Sequence, residues 1–174
     1  MSREGCRTFS FRLYPTVRQQ VALTHLFDLQ RELYNAALEA RRGAWAWEKR
    51  STSFFDDCKV LTELRDARPD VLFFGVTVCR GTLKRLDRAY SAFYRRCAKG
   101  EKPGYPRFRS RSWFDSVQYE DRSSWRLDEE ASRLRLQGIG AVKVKLHRPV
   151  RGIPKVITVK REGRHWIVAI RCVE

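Results

Sequence analysis

One strand-like segment, "RTFSFRLY", opens the chain roughly a hundred residues ahead of any other sequence with the same two-residue rhythm. Phe9, Phe11 and Leu13 fall on one face, and Thr8, Ser10 and Arg12 on the other. That is the pattern of a half-buried strand. A strand alone leaves its backbone N–H and C=O groups unpaired. It must therefore join a sheet whose other members come from the far part of the chain.

The intervening sequence is helical in rhythm. Pro15 ends the strand, and "TVRQ" from Thr16 to Gln19 has the form of a capping box. Leu23, Leu26, Phe27, Leu33, Tyr34, Ala37 and Leu38 then recur at three- and four-residue steps, predicting a long amphipathic helix to about Trp47. A shorter helix is expected from Phe54 to Ala67, stopping near Pro69, and a third from Val76 to Ala98. The third carries an apolar stripe of Leu83, Leu86, Tyr90, Phe93 and Cys97, with Gly81 weakening it somewhat.

After Phe114 the period returns to two in "DSVQYE", "SWRLD", "RLRLQ", "AVKVKLH", "KVITVKR" and "HWIVAIRCV". Short strands separated by "GIG" and "REGR" read as antiparallel. The economical architecture is α+β: an oligonucleotide-binding-like antiparallel β-barrel, split after its first strand by a helical insertion. Residues 1–15 supply the first strand, 16–100 the helical part, 101–114 a basic extended connector and 115–174 the rest of the barrel. Closing the sheet removes the exposed edge of a lone strand.

Charge narrows the function. The formal net charge is +16, and it is not spread evenly. Residues 16–70 carry nine basic and nine acidic side chains. Residues 80–112 carry eleven basic against Asp87 and Glu101, and residues 139–171 nine basic against Glu162 alone. A codon bias toward arginine does not concentrate charge in two blocks, whereas a polyanion partner does. The five cysteines are widely spaced without a C-x-x-C pair, which reads as reduced thiol rather than a disulfide framework or zinc site. No apolar run approaches a membrane span and the start lacks a signal-peptide core, so a cytoplasmic, nucleic-acid-associated protein is expected.

Three constellations carry that expectation. In "GEKPGYPRFRSRSWF", Pro103 and Pro106 forbid helix. In an extended chain Arg107, Arg109 and Arg111 point the same way, at a spacing suited to successive phosphates. Tyr105 and Phe108 offer flat surfaces on which a base can stack or which can pin the loop to the body. On the third helix, Arg80, Lys84 and Arg88 share a face that Arg95 rejoins, and Arg96, Lys99 and Lys102 continue the track into the connector. In "AVKVKLHRP", Val142, Val144 and Leu146 face the core, so Lys143, Lys145 and His147 project oppositely, with Arg148 beyond. An ordinary outer face would mix signs. This one does not.

Catalytic signatures are missing: no Walker loop, G-x-G-x-x-G, H-E-x-x-H or nucleophile elbow is present. Asp56 and Asp57 read as ordinary helix-start acids rather than metal ligands.

The chain resembles the N-terminal half of the TnpB/OrfB family, transposon-encoded RNA-guided DNA nucleases related to type V CRISPR effectors and also described as insertion-sequence transposases. Matching features occur in order: "FSFRLYPTVRQQVAL", "LYNAALEARRGAW", "LKRLDRAYSAFYRR", "KGEKPGYPRFRSR", "SVQY", "GIGAVKVKLHRP" and "GIPKVITVKREGRHWIVAI". The resemblance implies a wedge barrel interrupted by a recognition lobe, together holding a structured guide RNA, its heteroduplex and double-stranded target DNA. By position, the third-helix cations with Arg107, Arg109 and Arg111 would line that channel. Lys143, Lys145, His147 and Arg148 would touch guide RNA or adjacent duplex. The family's RNase H-like nuclease domain and zinc module would follow Glu174, and with them the Mg and Zn sites. The chain alone is therefore expected to bind without cutting, with no catalytic residue, metal or cofactor of its own, as a truncated or split form. A stand-alone DNA-binding repressor or transposon-end binder is one alternative. Half of a nuclease completed by a separately encoded partner is another.

Overall fold

The computed structural model describes residues 5–174, so residues 1–4 of the expected first-strand segment lie outside it. The elements follow the sequence rhythm closely: β1 (Cys6–Tyr14), then α1 (Val17–Glu48), α2 (Phe54–Ala67), α3 (Pro69–Phe74) and α4 (Val76–Ala98). Strands β2 (Ser116–Tyr119), β3 (Trp125–Asp128), β4 (Arg133–Leu136), β5 (Gly140–Lys145), β6 (Ile153–Glu162) and β7 (His165–Val173) complete the chain. The capping box of α1 forms as expected: Gln19 N–H donates to Thr16 Oγ1, and Thr16 N–H donates to Gln19 Oε1. Helix α3 was not expected. Pro69 does not only stop α2; it opens α3 at its first helical position, where its missing N–H costs nothing.

All seven strands form one antiparallel sheet in the order β2-β6-β7-β1-β5-β4-β3. The lone N-terminal strand sits at its centre, with β7 on one side and β5 on the other. Strands β2 and β3 are the two ends of that order, yet only residues 120–124 join them. A flat seven-stranded sheet would separate its end strands by about 29 Å, more than that link can span, at most about 20 Å. The sheet is accordingly a curled half-barrel. No ladder joins β2 to β3 among the described residues.

The outer edge of β2 is instead covered by α4. Arg85 Nη1 donates to the Ser116 carbonyl at 3.1 Å, and a methyl group at Gly81 would lie 3.3 Å from the Gln118 carbonyl oxygen. Gly81 thus permits the close crossing that seals this edge.

The concave face carries Phe9, Phe11, Leu13, Val142, Val144, Val168 and Ile170, all buried. Against it pack α1 and α4: Phe27 meets Trp166 edge-on at 5.3 Å, and Leu23, Leu26, Leu83 and Leu86 are fully enclosed. Each such side chain contributes about 1.5–3 kcal/mol of transfer free energy. Between the helices, Thr82 Oγ1 donates to Gln30 Oε1 at 2.6 Å and Gln30 Nε2 to Cys79 Sγ at 3.4 Å, satisfying a buried amide. Cys97, expected on the α4 core stripe, is exposed, because the last turns of α4 run past the packed part of the core.

Candidate nucleic-acid interface

Arg80, Lys84 and Arg88 share the exposed face of α4 predicted from their spacing. Two of them are not free. Lys84 Nζ and Arg88 Nη2 lie 3.1 and 3.0 Å from the two oxygens of Glu120, just after β2. Burial raises the Glu120 carboxyl, but the Lys84 hydrogen bond and the charges of Lys84 and Arg88 outweigh it and hold the group below the usual glutamate range. Arg95 and Arg96 occupy the last turn, where cations suit the helix dipole. They are exposed, as are Lys99 and Lys102, and none of the four pairs with a carboxylate among the described residues.

The connector is irregular through Ser110 and then winds into a single 3-10 turn at Arg111–Trp113. Its aromatics pin it to the body. Tyr105 packs edge-on against Tyr90 and Phe93 and exchanges a hydroxyl hydrogen bond with Tyr90 at 3.1 Å. Arg42, reaching from α1, sits 5.0 Å from the Tyr105 ring centre and 4.8 Å from that of Phe108, and donates to the Pro106 carbonyl. The expected row of three equivalent arginines does not form. Arg107 is exposed and unpaired among the described residues. Arg109 is half-buried over Tyr34, and Arg111 makes a two-pronged bridge to Asp28 at 2.8 and 2.9 Å. The physical reason is the turn at Arg111, which breaks the extended alternation, together with the acid that α1 presents there.

The outer face of the sheet holds more cations than its sequence block announced. Lys143 and Lys145 point away from the core and are exposed. Directly opposite them stand further cations, Arg133 across from Lys143 and Arg12 across from Lys145, and Arg126 faces Arg135 in the neighbouring β3–β4 ladder. All six are exposed and none of their side chains lies in an ion pair among the described residues. Like charges directly opposite in a ladder are destabilising, and on its other side Arg133 faces the acid Asp128 of β3. His147 and Arg148 do not join it. β5 ends at Lys145, the chain bends, and the His147 ring packs edge-on against Phe11 at 5.2 Å while Arg148 lies 5.3 Å over Phe9. Both therefore sit on the side of the core residues of β1.

The α4 cations lie beside the end strand β2, and Lys143 and Lys145 lie on β5, with grooves that share Arg122, Arg126 and Arg135 between β2 and the β3–β4 pair. A groove at the α4 end is lined by Arg80, Lys84 and Arg122 with the acids Glu120 and Asp121. Arg122 also lines a larger groove, of about 850 Å³, together with Arg18, Arg126 and Arg135. Arg126 and Arg135 in turn border a third groove with Arg133 and the acid Asp128. Sequence reasoning missed Arg12, Arg122, Arg126, Arg133 and Arg135. Residues 113–138 hold four basic and six acidic side chains, so a census of net charge passes over them. The signal that could have found them was strand alternation, which puts Arg126, Arg133 and Arg135 on one face.

The acids are occupied elsewhere. Asp56 accepts from Ser53 N–H at 2.8 Å and caps α2. Asp57 takes two hydrogen bonds from Arg41, at 2.6 and 3.0 Å, and Arg41 also reaches Asp87 at 3.1 Å. Among the described residues no cluster of three His, Cys, Asp or Glu is placed to hold a metal ion. No helix among them is long and apolar enough to cross a membrane.

Residues 6–50 match the OrfB/IS605 family described as a helix-turn-helix domain. In the structure that stretch is β1 followed by the single helix α1. A Streptomyces pristinaespiralis protein named "Putative RNA-guided DNA endonuclease" is 28% identical over 178 residues, covering 99% of this chain and 42% of its own length. An Escherichia coli K12 protein named "Putative RNA-guided DNA endonuclease InsQ" is 26% identical over 174 residues, covering 95% of this chain and 40% of its own length. A chain from a cryo-EM structure titled as the Cas12f1–sgRNA–target DNA complex covers 95% of this chain and 47% of itself, at 16% identity and a TM-score of 0.48. The chain spans about two-fifths of the length of the curated relatives it matches. Residues 6–50 thus match the OrfB/IS605 helix-turn-helix family, and nearly the whole chain is similar to about two-fifths of proteins named as RNA-guided DNA endonucleases.

Proposed function

We propose that this chain is the nucleic-acid-holding portion of a TnpB/OrfB-type RNA-guided nuclease, binding a structured guide RNA and double-stranded DNA. In this reading the curled sheet is an oligonucleotide-binding-like wedge barrel, and residues 16–100 are the recognition insertion within it. Cleavage, with its Mg and Zn, would depend on sequence matching the remaining three-fifths of the relatives.

The observation that carries the proposal is the set of three like-charged pairs across adjacent strands, Arg126–Arg135, Arg133–Lys143 and Arg12–Lys145. Such a face is suited to a sugar–phosphate backbone, whose counterions it would displace.

Fluorescence anisotropy with a labelled RNA hairpin and a DNA duplex, across a salt series, tests this. Submicromolar binding that weakens steeply with salt is expected, unchanged by a chelator. Reversing Lys143, Lys145 and Arg133 to Glu together should flatten the salt slope by about three phosphate contacts. Absence of binding to either nucleic acid in dilute buffer would end the proposal. Binding of duplex alone would favour a DNA-only repressor or end binder.

A further inference from the structure

Helices α1 and α4 run side by side in the same direction. Gln30 meets Thr82, and further along both helices Arg41 sits 5.0 Å over the Tyr90 ring. Four residues beyond that pair, on the same face of each helix, come Trp45 and Tyr94. Both are 56% exposed. They line one groove of about 470 Å³, which Phe93, Tyr105 and residues 50–52 help to close, and no Asp or Glu is among its lining residues. Tyr105 is already engaged, edge-on with Tyr90 and Phe93 and under Arg42. Trp45 stacks on no other aromatic ring among the described residues; the Lys49 ammonium lies 5.8 Å from its centre.

An indole and a phenol left facing water in one concave site mark a surface that something covers. The surroundings select the occupant. Arg41 and Arg50, which also line the groove, are paired with Asp57 and Glu48. Lys49, Arg95 and Arg96 are exposed and have no carboxylate partner among the described residues. A methyl group at Gly104 would lie 3.5 Å from Arg96 Nη1, so that guanidinium rests against the connector beside Tyr105. Aromatic walls with unpaired cations at the rim suit a single nucleic-acid strand. A second copy of the chain, at +16, would bring like charge to that rim.

We infer that this groove holds one unstacked base of the bound nucleic acid, lying on the Trp45 indole beside Tyr94. Arg96 is then available to a neighbouring phosphate. The site rests on the nucleic-acid reading above and adds to it a contact that the sheet face cannot make, with a base rather than a backbone. Every base offers a flat π-face, so the groove favours unpaired strand over duplex without reading sequence. A neutral stack displaces no counterions, so its contribution does not fall with salt as the cationic contacts do.

Anisotropy with two labelled single strands of equal length separates the contributions. One strand bears all its bases; the other is abasic throughout and keeps every phosphate. The full chain should prefer the base-bearing strand, and Trp45→Ala should cut that preference about fivefold or more. Its affinity for the abasic strand and its salt slope should not change. Tyr94→Ala should cut the preference as well, whereas Trp47→Ala, at a residue 89% exposed and outside the groove, should leave it intact. If both groove variants weaken the two strands equally, or leave the preference untouched, the base site is wrong and the functional reading stands. If Trp45→Ala instead turns a sedimenting dimer of the free protein into a monomer, the groove is a self-association surface and the inference falls. No binding of either strand removes both proposals.

Discussion

Asn35 and Arg109 hold each other in both directions: Asn35 Nδ2 donates to the Arg109 carbonyl at 2.8 Å, and Arg109 N–H donates to Asn35 Oδ1 at 2.8 Å. One amide on α1 thereby satisfies both backbone groups of a connector residue that no strand pairs. Asn35→Ala should destabilise the protein by about 2 kcal/mol. The connector should also open first, so limited trypsin digestion would cut after Arg107 and Arg109 faster than elsewhere, with thermal melts reporting the stability loss.

The connector arginines should separate in their effects. Arg107→Glu is expected to weaken nucleic-acid binding and leave the melting temperature within about a degree, since an exposed, unpaired side chain supports nothing in the fold. Arg111→Glu places a second acid against Asp28, and Arg109→Glu puts a carboxylate over the Tyr34 face. Both should lower the melting temperature as well as the affinity. Equal effects of all three on binding with none on stability would show that the three arginines act as one row.

Arg41 and Asp57 form a largely enclosed ion pair joining α1 to α2, with Asp87 of α4 as a third partner. Arg41→Ala leaves Asp57 without its cation and should cost about 3–5 kcal/mol in denaturant unfolding. Arg41→Met with Asp57→Leu should cost less than either single change, because no uncompensated charge stays buried.

Gly138 turns the chain between β4 and β5 at a φ of 76°, close under α3. A methyl group there would lie 2.8 Å from Phe74 Cδ1 and 2.9 Å from the Phe73 carbonyl oxygen. Gly138→Ala should lose about 2 kcal/mol from left-handed strain with the clash added. Calorimetry on the purified variant checks it.

Glu120 makes two opposite predictions on one residue. Its folded pKa lies below the unfolded value, so the stability it contributes is present above about pH 4.3 and is lost as pH falls through the folded pKa. Glu120→Gln should remove that part of the acid-side dependence, narrowing the gap from wild type in melts below pH 4.3. The same change releases Lys84 and Arg88 and should tighten RNA binding about twofold to fivefold at low salt. A variant that binds no better would mean the pair never engages the ligand.

The helices and strands were legible because hydrophobic period is a local property. Thr16 to Gln19 announced its cap, Phe9 to Leu13 its buried face, and the ends of α2 and α4 were readable to the residue. Helix α3 was not, since six residues beginning with a proline give too short a pattern to distinguish from a loop.

The candidate site was less legible for a physical reason. Block charge and spacing marked the α4 face, the connector and Lys143 with Lys145. Partnership is set by residues distant in the chain: Asp28 for Arg111, Glu120 for Lys84, Arg42 for Tyr105 and Phe108.

From its own letters, then, the chain determined which segments pair and which wind, because alternation and three-four recurrence follow from backbone geometry within a few residues. Tertiary structure alone decided that the short link 120–124 curls the sheet, that Arg122, Arg126 and Arg135 share grooves near its two ends, and that His147 packs against Phe11. Those outcomes depend on distances closed across the whole fold, and no local count of charge contains them.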